Sequence, residues 1–178
     1  MRGAFEVASE TSVDSLSMPV LAERLDVGVT SIYWYFRKKD RLLDAMTEIA
    51  ASGYATALMP VPRDQSWAEV LRQHFARQHA VLVGDPTVAD LLMTRTSVYS
   101  EVASRSIFTV VEAVLTVLIE QGFTPEDALR AYNTMSVYTR GVVLQNRGGA
   151  DDDIAFGLGR LVCGFEALLA ERGRQLRC

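Results

Sequence analysis

The stretch SMPVLAERLDVGVTSIYWYFRKK, residues Ser17–Lys39, decides the fold. Ser17 can cap a short helix, and Pro19 in its first turn gives up only an amide that would have no partner there. Val20, Leu21, Ala22 and Leu25 recur at helical spacing and make one apolar face. Asp26-Val27-Gly28 then breaks the pattern. Asp tolerates the left-handed conformation, Val27 can plug a core, and Gly28 frees the backbone. A second short helix follows, with Ile32 and Phe36 four residues apart as its inner side. Thr30, Ser31, Tyr33, Trp34 and Tyr35 fall on its other faces, where hydroxyls and flat rings suit phosphate oxygens and thymine methyls. Arg37, Lys38, Lys39 and Arg41 come next, and this cluster holds both lysines of the chain. Composition alone leaves two readings open: an ordinary helical hairpin with a solvated basic turn, or a helix-turn-helix.

The residues Leu16-Ser17-Met18, Leu21-Ala22-Glu23-Arg24-Leu25, Val27, Thr30 through Phe36, Lys39 and Leu42-Leu43-Asp44-Ala45-Met46 also carry a resemblance. In them the chain closely resembles the DNA-binding domain of the TetR family of bacterial transcription regulators. The resemblance implies a three-helix, helix-turn-helix DNA-binding domain at residues 1–46. It implies a helical effector-binding and dimerisation domain at 47–178. It also assigns roles: base-edge or nearby phosphate contacts to Thr30 and Ser31, base contact to Val29, and phosphate contacts to Ser17, Tyr33, Tyr35 and Lys39, with Trp34 in the same interface. The family's first helix is longer and often follows a basic arm. Here the arm is absent and the helix starts late, as a misassigned start or a shortened sequence would give, and this puts part of the phosphate-contacting surface in doubt.

Composition agrees with a protein that has its charge in patches. The chain of 178 residues is 49% hydrophobic, enough for a core, with a net charge of −4 and a pI near 5.2. It is therefore not basic throughout, but a small basic patch on an acidic body is compatible with DNA binding. No apolar run reaches the ~18 residues that a membrane span needs, and the N-terminus lacks a signal-peptide pattern. A cytoplasmic protein without a membrane partner is expected. Cys163 and Cys178 have no metal-ligand spacing and are not expected to form a disulfide.

Along the chain, Met1–Glu10 reads as the back of a helix with Ala4, Phe5 and Ala8 inward. Asp40–Leu58 reads as a longer helix on Leu42, Leu43, Met46, Ile49 and Ala50, broken by Met59-Pro-Val-Pro62, where a domain boundary is plausible. Ser66-x-x-Glu69 is a capping box, and Asp85-Pro86 caps and starts another helix after Gly84. Glu101–Gln121 is rich in β-branched residues, yet its length and the series Phe108, Val111, Leu115, Leu118 predict a helix. Gly122 ends it, and Thr124-Pro125-Glu126-Asp127 opens a helix to about Gln145. After a Gly148-Gly149 loop, Asp151–Asp153 caps a last helix to about Arg172. No segment alternates for long, so the fold class is all-α.

Catalytic chemistry has little support. His74 and His79 lie about 140° apart around a helix and cannot share a metal. No G-x-S-x-G elbow and no Gly-rich loop after a strand is present, so no catalytic residue, metal or cofactor is expected. Helices of the second half carry instead many side chains with apolar bodies and polar tips. Each alone fits a core or rim position, and together they would serve an apolar pocket with a few polar handles. The candidates are Trp67, His74, Phe75, Gln78, Met93, Phe108, Tyr132, Met135 and Tyr138, with Tyr99, Asn133 and Gln145 of the same character. The last helix has a stripe of Ile154, Leu158, Leu161, Phe165 and Leu168 beside the small residues Gly159, Cys163 and Ala167. Phe156–Leu168 resembles the closing helix of one subgroup of the family, where it and the preceding helix form a four-helix dimer interface. Leu158, Leu161, Val162, Phe165 and Leu168 are the expected dimer residues. The expected partners are double-stranded operator DNA, a small apolar or amphipathic effector and a second copy of the chain. Repression, and release by ligand, are implied by the resemblance. The alternative is a helical small-molecule-binding protein or enzyme that has lost DNA binding.

Overall fold

Nine α-helices and no strand occur among the described residues of the computed structural model, which are 1–94, 101–145 and 151–175. The expected all-α class is observed. The helices are α1 (Arg2–Glu10), α2 (Met18–Arg24), α3 (Val29–Tyr35), α4 (Lys39–Leu58), α5 (Trp67–Gly84), α6 (Pro86–Thr94), α7 (Glu101–Glu120), α8 (Pro125–Gln145) and α9 (Asp151–Gln175). Tyr99 and the Gly148-Gly149 pair lie outside the described residues.

Their ends follow local chemistry. The Val20 amide donates to Ser17 Oγ at 3.4 Å, and the Glu69 amide to Ser66 Oγ at 3.3 Å. Asp85 Oδ1 accepts from the amides of Thr87 and Val88, both at 3.0 Å. The Asp127 amide donates to Thr124 Oγ1 at 3.2 Å, and the Thr124 hydroxyl donates to the Asp127 carboxylate at 3.0 Å. Gly122 sits at φ 107°, where a side chain is strained, and lets the Phe123 amide reach the Leu118 carbonyl at 3.1 Å.

The chain divides into two compact units that interleave in sequence: residues 1–54 with 84–107, and residues 55–83 with 108–178. Helix α4 runs without a break from Lys39 to Leu58, across both residue 46 and the boundary between the units at 54/55. In the first unit Ala4, Val7, Ala8, Leu16, Met18, Leu21, Ala22, Ile32, Leu42, Leu43 and Met46 are buried. Ile49 is exposed instead, and Phe5 is only half-buried. In the second unit one core gathers Leu71 and Phe75 from α5, Val114 and Leu118 from α7, Ala131, Tyr132 and Met135 from α8, and Ile154, Leu158 and Val162 from α9. The inward residues of α7 are Val110, Val114, Val117 and Leu118, whereas Phe108 is exposed and Val111 and Leu115 are half-buried. The helix is apolar on nearly every face, so spacing alone cannot choose its inner side.

Candidate nucleic-acid interface and ligand cleft

The first unit places α2 and α3 as two short helices joined by a sharp turn. Asp26 takes the left-handed conformation at φ 51°. Gly28 does not: it is extended, at φ −65° and ψ 139°, as the N-cap of α3. Val27 is exposed and does not plug the core. Ile32 alone anchors the inner side of α3 deeply, with Phe36 half-buried beyond its end. Every other residue of α3 is exposed: Val29, Thr30, Ser31, Tyr33, Trp34 and Tyr35. Trp34 is 80% exposed and Tyr35 73%, their rings meeting edge to face at 5.0 Å. Three large rings and the hydroxyls of Thr30 and Ser31 in water on one short helix bring little to stability, and they make a surface suited to a polar, stackable partner.

Arg37, Lys38 and Arg41 are exposed just beyond α3. Lys39 behaves differently. Its Nζ donates to the backbone carbonyl of Asp14 at 2.6 Å, which ties the α1–α2 loop to the start of α4. The same unit is braced by a two-pronged ion pair between Arg24 and Glu10, and this hydrogen-bonded guanidinium holds the Glu10 carboxyl below its ordinary range. Ser17 is half-buried and is occupied in capping α2.

Of the pocket candidates, His74 alone lines the cleft at α5, and the others are placed elsewhere among the described residues. Phe75, Tyr132 and Met135 are in the core of the second unit, with Trp67 against Phe123 at its margin. Tyr138 lies over Gly157 of α9 so closely that a Cβ there would overlap its hydroxyl. Gln78 is buried. Met93 belongs to the first unit, and Phe108, in the second, is 69% exposed.

His74 is the exception. It lines a cleft with Gln73 and Arg77, facing Leu58, Val70 and the Pro60–Pro62 segment. His74 is 4% exposed, its ring 4.9 Å from that of Phe75 and 5.8 Å from that of Tyr132. Neither of its ring nitrogens has a hydrogen-bond partner. Burial, with the Arg77 charge as a smaller second cause, lowers its pKa to about 4 and keeps the imidazole neutral. A buried polar group left without a partner costs about 1–3 kcal/mol. Residues 63–67, which follow the Pro60–Pro62 segment, are tied to the end of α7 by side chains the sequence did not flag. Gln121 accepts the Trp67 amide at 2.7 Å and donates to the Gln65 carbonyl at 2.9 Å, and Arg63 pairs with Glu120 at 3.7 Å. Arg77 was legible in principle, being three residues beyond His74 on the same helix face.

On α9, Leu158 and Val162 belong to the core of their own protomer and are not free for a dimer. Leu161, Phe165 and Leu168 are half-buried, while Val137, Leu144 and Phe156 of α8 and α9 are exposed. Phe156, at 72% exposure, has the Arg160 guanidinium 5.8 Å from its ring centre. Among the described residues no helix is long and apolar enough to cross a membrane.

These features have counterparts in known proteins. Residues 1–46 match the family described as bacterial regulatory proteins, tetR family, and residues 59–167 match the tetracyclin repressor-like C-terminal domain. An HTH-type transcriptional repressor of Mycobacterium tuberculosis is 41% identical over 145 residues, which are 82% of this chain and 55% of that protein. The class A tetracycline repressor from transposon 1721 of Escherichia coli is 32% identical over 154 residues, 85% of this chain and 67% of the repressor. A substituted TetR of Acinetobacter baumannii, solved with minocycline, superposes with a TM-score of 0.75 at 29% identity, covering 94% of each chain. This chain thus spans about half the length of the mycobacterial relative. With both halves matched and the helix-turn-helix in place, the chain belongs to the TetR family of bacterial regulatory proteins.

Proposed function

We propose that this chain is a homodimeric, cytoplasmic transcriptional regulator: a repressor that holds an operator through α2 and α3 and leaves it when a small molecule binds the second unit. The observation that carries the reading is α3 itself. One inner residue, Ile32, is buried, while Thr30, Ser31, Tyr33, Trp34 and Tyr35 are exposed beside Arg37, Lys38 and Arg41. A recognition helix has this division of labour, with hydroxyls at its N-terminal turn toward base edges and cations toward the backbone. Related proteins named as repressors, and a relative solved with minocycline, support the regulatory and ligand-binding parts. A dimer would present two copies of α3 about 34–36 Å apart, one helical turn of DNA. A ligand favouring another separation would lower operator affinity by its differential binding free energy.

Binding titrations on the promoter duplex of the flanking genes and on random duplex, from low to moderate salt, test the reading. Ser31→Ala is expected to change operator preference by ~1–3 kcal/mol with little change in salt slope. Lys38→Ala is expected to weaken both duplexes and lower the slope by about one per subunit. Lys39→Ala should add a loss of stability, because its ammonium also braces the Asp14 carbonyl. Absence of any binding to promoter duplex would leave the alternative, a ligand-binding protein without DNA function.

A further inference from the structure

Helix α3 has one deeply buried residue, Ile32, so its direction depends on what holds the chain at its two ends. Both ends are held by α1 and the loop after it, all within the first unit. Arg24 and Leu25 close α2, immediately before the left-handed turn at Asp26 that leads into α3. The Leu25 side chain lies over Gly3, where an added Cβ would stand 2.7 Å from Leu25 Cδ2. Arg24 donates to Glu10 from both terminal nitrogens, Nη1 to Oε1 at 2.8 Å and Nη2 to Oε2. Gly3 and Glu10 are seven residues apart, which sets them two turns apart on one face of α1. Beyond α3, the Lys39 ammonium donates to the Asp14 carbonyl at 2.6 Å.

We propose that Glu10 is a positioning residue for DNA recognition: through Arg24 it fixes the end of α2, and so the direction in which α3 leaves the turn. This rests on the reading of α3 as a recognition helix. Glu10 cannot bind phosphate, and its charge taken alone opposes docking on a polyanion. The pair is open to water, where ion pairs add little to global stability. Orientation is what a two-pronged bond supplies beyond a point contact, because the planar fork fixes both partners. The competing role is a phosphate contact by Arg24, and Glu10 occupies both nitrogens that such a contact would use. Base edges are read only by a helix set in one register, whereas a phosphate attracts a cation from many directions. Loss of the pair should therefore harm specific binding and spare non-specific binding.

Two charge-preserving variants of the full chain test this. Glu10→Gln/Arg24→Gln deletes the pair, and Glu10→Arg/Arg24→Glu reverses it. The deletion should lose about tenfold in operator affinity, with random-duplex affinity and salt slope unchanged, and the reversal should recover most of that loss. Glu10→Gln alone separates positioning from charge by sign. Relief of repulsion would tighten both duplexes, whereas a lost brace weakens the operator. Tm should move little in all three, because the pair is exposed. Amide exchange of residues 32–36 in the free chain gives a readout without DNA. It should quicken several-fold in the deletion and return toward the parent rate in the reversal, with α5 and α8 unchanged. Parent-like operator affinity or parent-like exchange at α3 in the deletion overturns the proposal. So does an equal loss on both duplexes with a salt slope lower by about one per subunit, which would make Arg24 a phosphate contact. A parent chain that binds no promoter duplex overturns the regulator reading, and with it a role for Glu10 in recognition, while the exchange rates still decide whether the pair holds α3.

Discussion

At the scale of one residue, His74 links acidity to stability. It is buried among Phe75 and Tyr132 with Arg77 nearby, and its folded pKa of about 4 lies below the ordinary histidine value of 6.5. Above pH 6.5 the ring is neutral in both folded and unfolded chains and contributes no pH dependence. As pH falls from 6.5 toward 4, the unfolded chain takes up a proton that the folded chain refuses. Stability should then drop by ~1.4 kcal/mol per pH unit, approaching ~3 kcal/mol at pH 4. Urea unfolding at pH 7.5 and 4.5 checks it: the drop should shrink in His74→Gln, and an unchanged drop would assign it to carboxylates elsewhere. The polar handle itself was visible in the sequence as a histidine on an amphipathic helix. Its lack of partners was not, because that depends on the Pro60–Pro62 segment, which local pattern does not bring to α5.

At the scale of elements, α8 and α9 approach closely where Tyr138 meets Gly157. Gly157 is the place where the Tyr138 ring crosses α9, and no Cβ fits there. Gly157→Ala should destabilise the second unit by about 1–3 kcal/mol through overpacking. Tyr138→Ala in the same chain should recover part of that loss, so the two changes will be non-additive in denaturant melts. Additive losses would mean that the helices are held apart by something else. Sequence reading put Tyr138 in a pocket because an aromatic with a polar tip looks alike in either place. Caps and turns were more legible: Ser17, Ser66, Asp85 and Thr124 act where they were expected, since each bonds within its own turn. The inner face of α7 was not legible, because a helix apolar all round gives its period no contrast. Within the helix-turn-helix, the left-handed position went to Asp26 alone, leaving Gly28 an ordinary extended cap.

At the scale of the whole molecule, assembly and readout follow from what each unit leaves exposed. Val137, Leu144 and Phe156 of α8 and α9 stand in solvent, and Leu161, Phe165 and Leu168 are half-buried. Burying the exposed apolar side chains of these two helices against a second copy is the expected source of a dimer, so Phe156→Glu should give folded monomers with weakened operator binding. Sedimentation decides it, and a Phe156→Glu variant that remains dimeric would move the interface elsewhere. Because Leu158 and Val162 are core, charges placed there should unfold the chain instead of merely separating it. The two tryptophans add something of practical use. The chain has one per unit: Trp34, nearly all in water on α3, and Trp67, half-buried against Phe123 at the start of α5. Their emission should differ in colour and in access to a soluble quencher such as iodide. The protein thus carries its own pair of optical reporters. Docking of DNA would shield Trp34 from the quencher, whereas Trp34→Phe would leave Trp67 as a lone probe of events at α5.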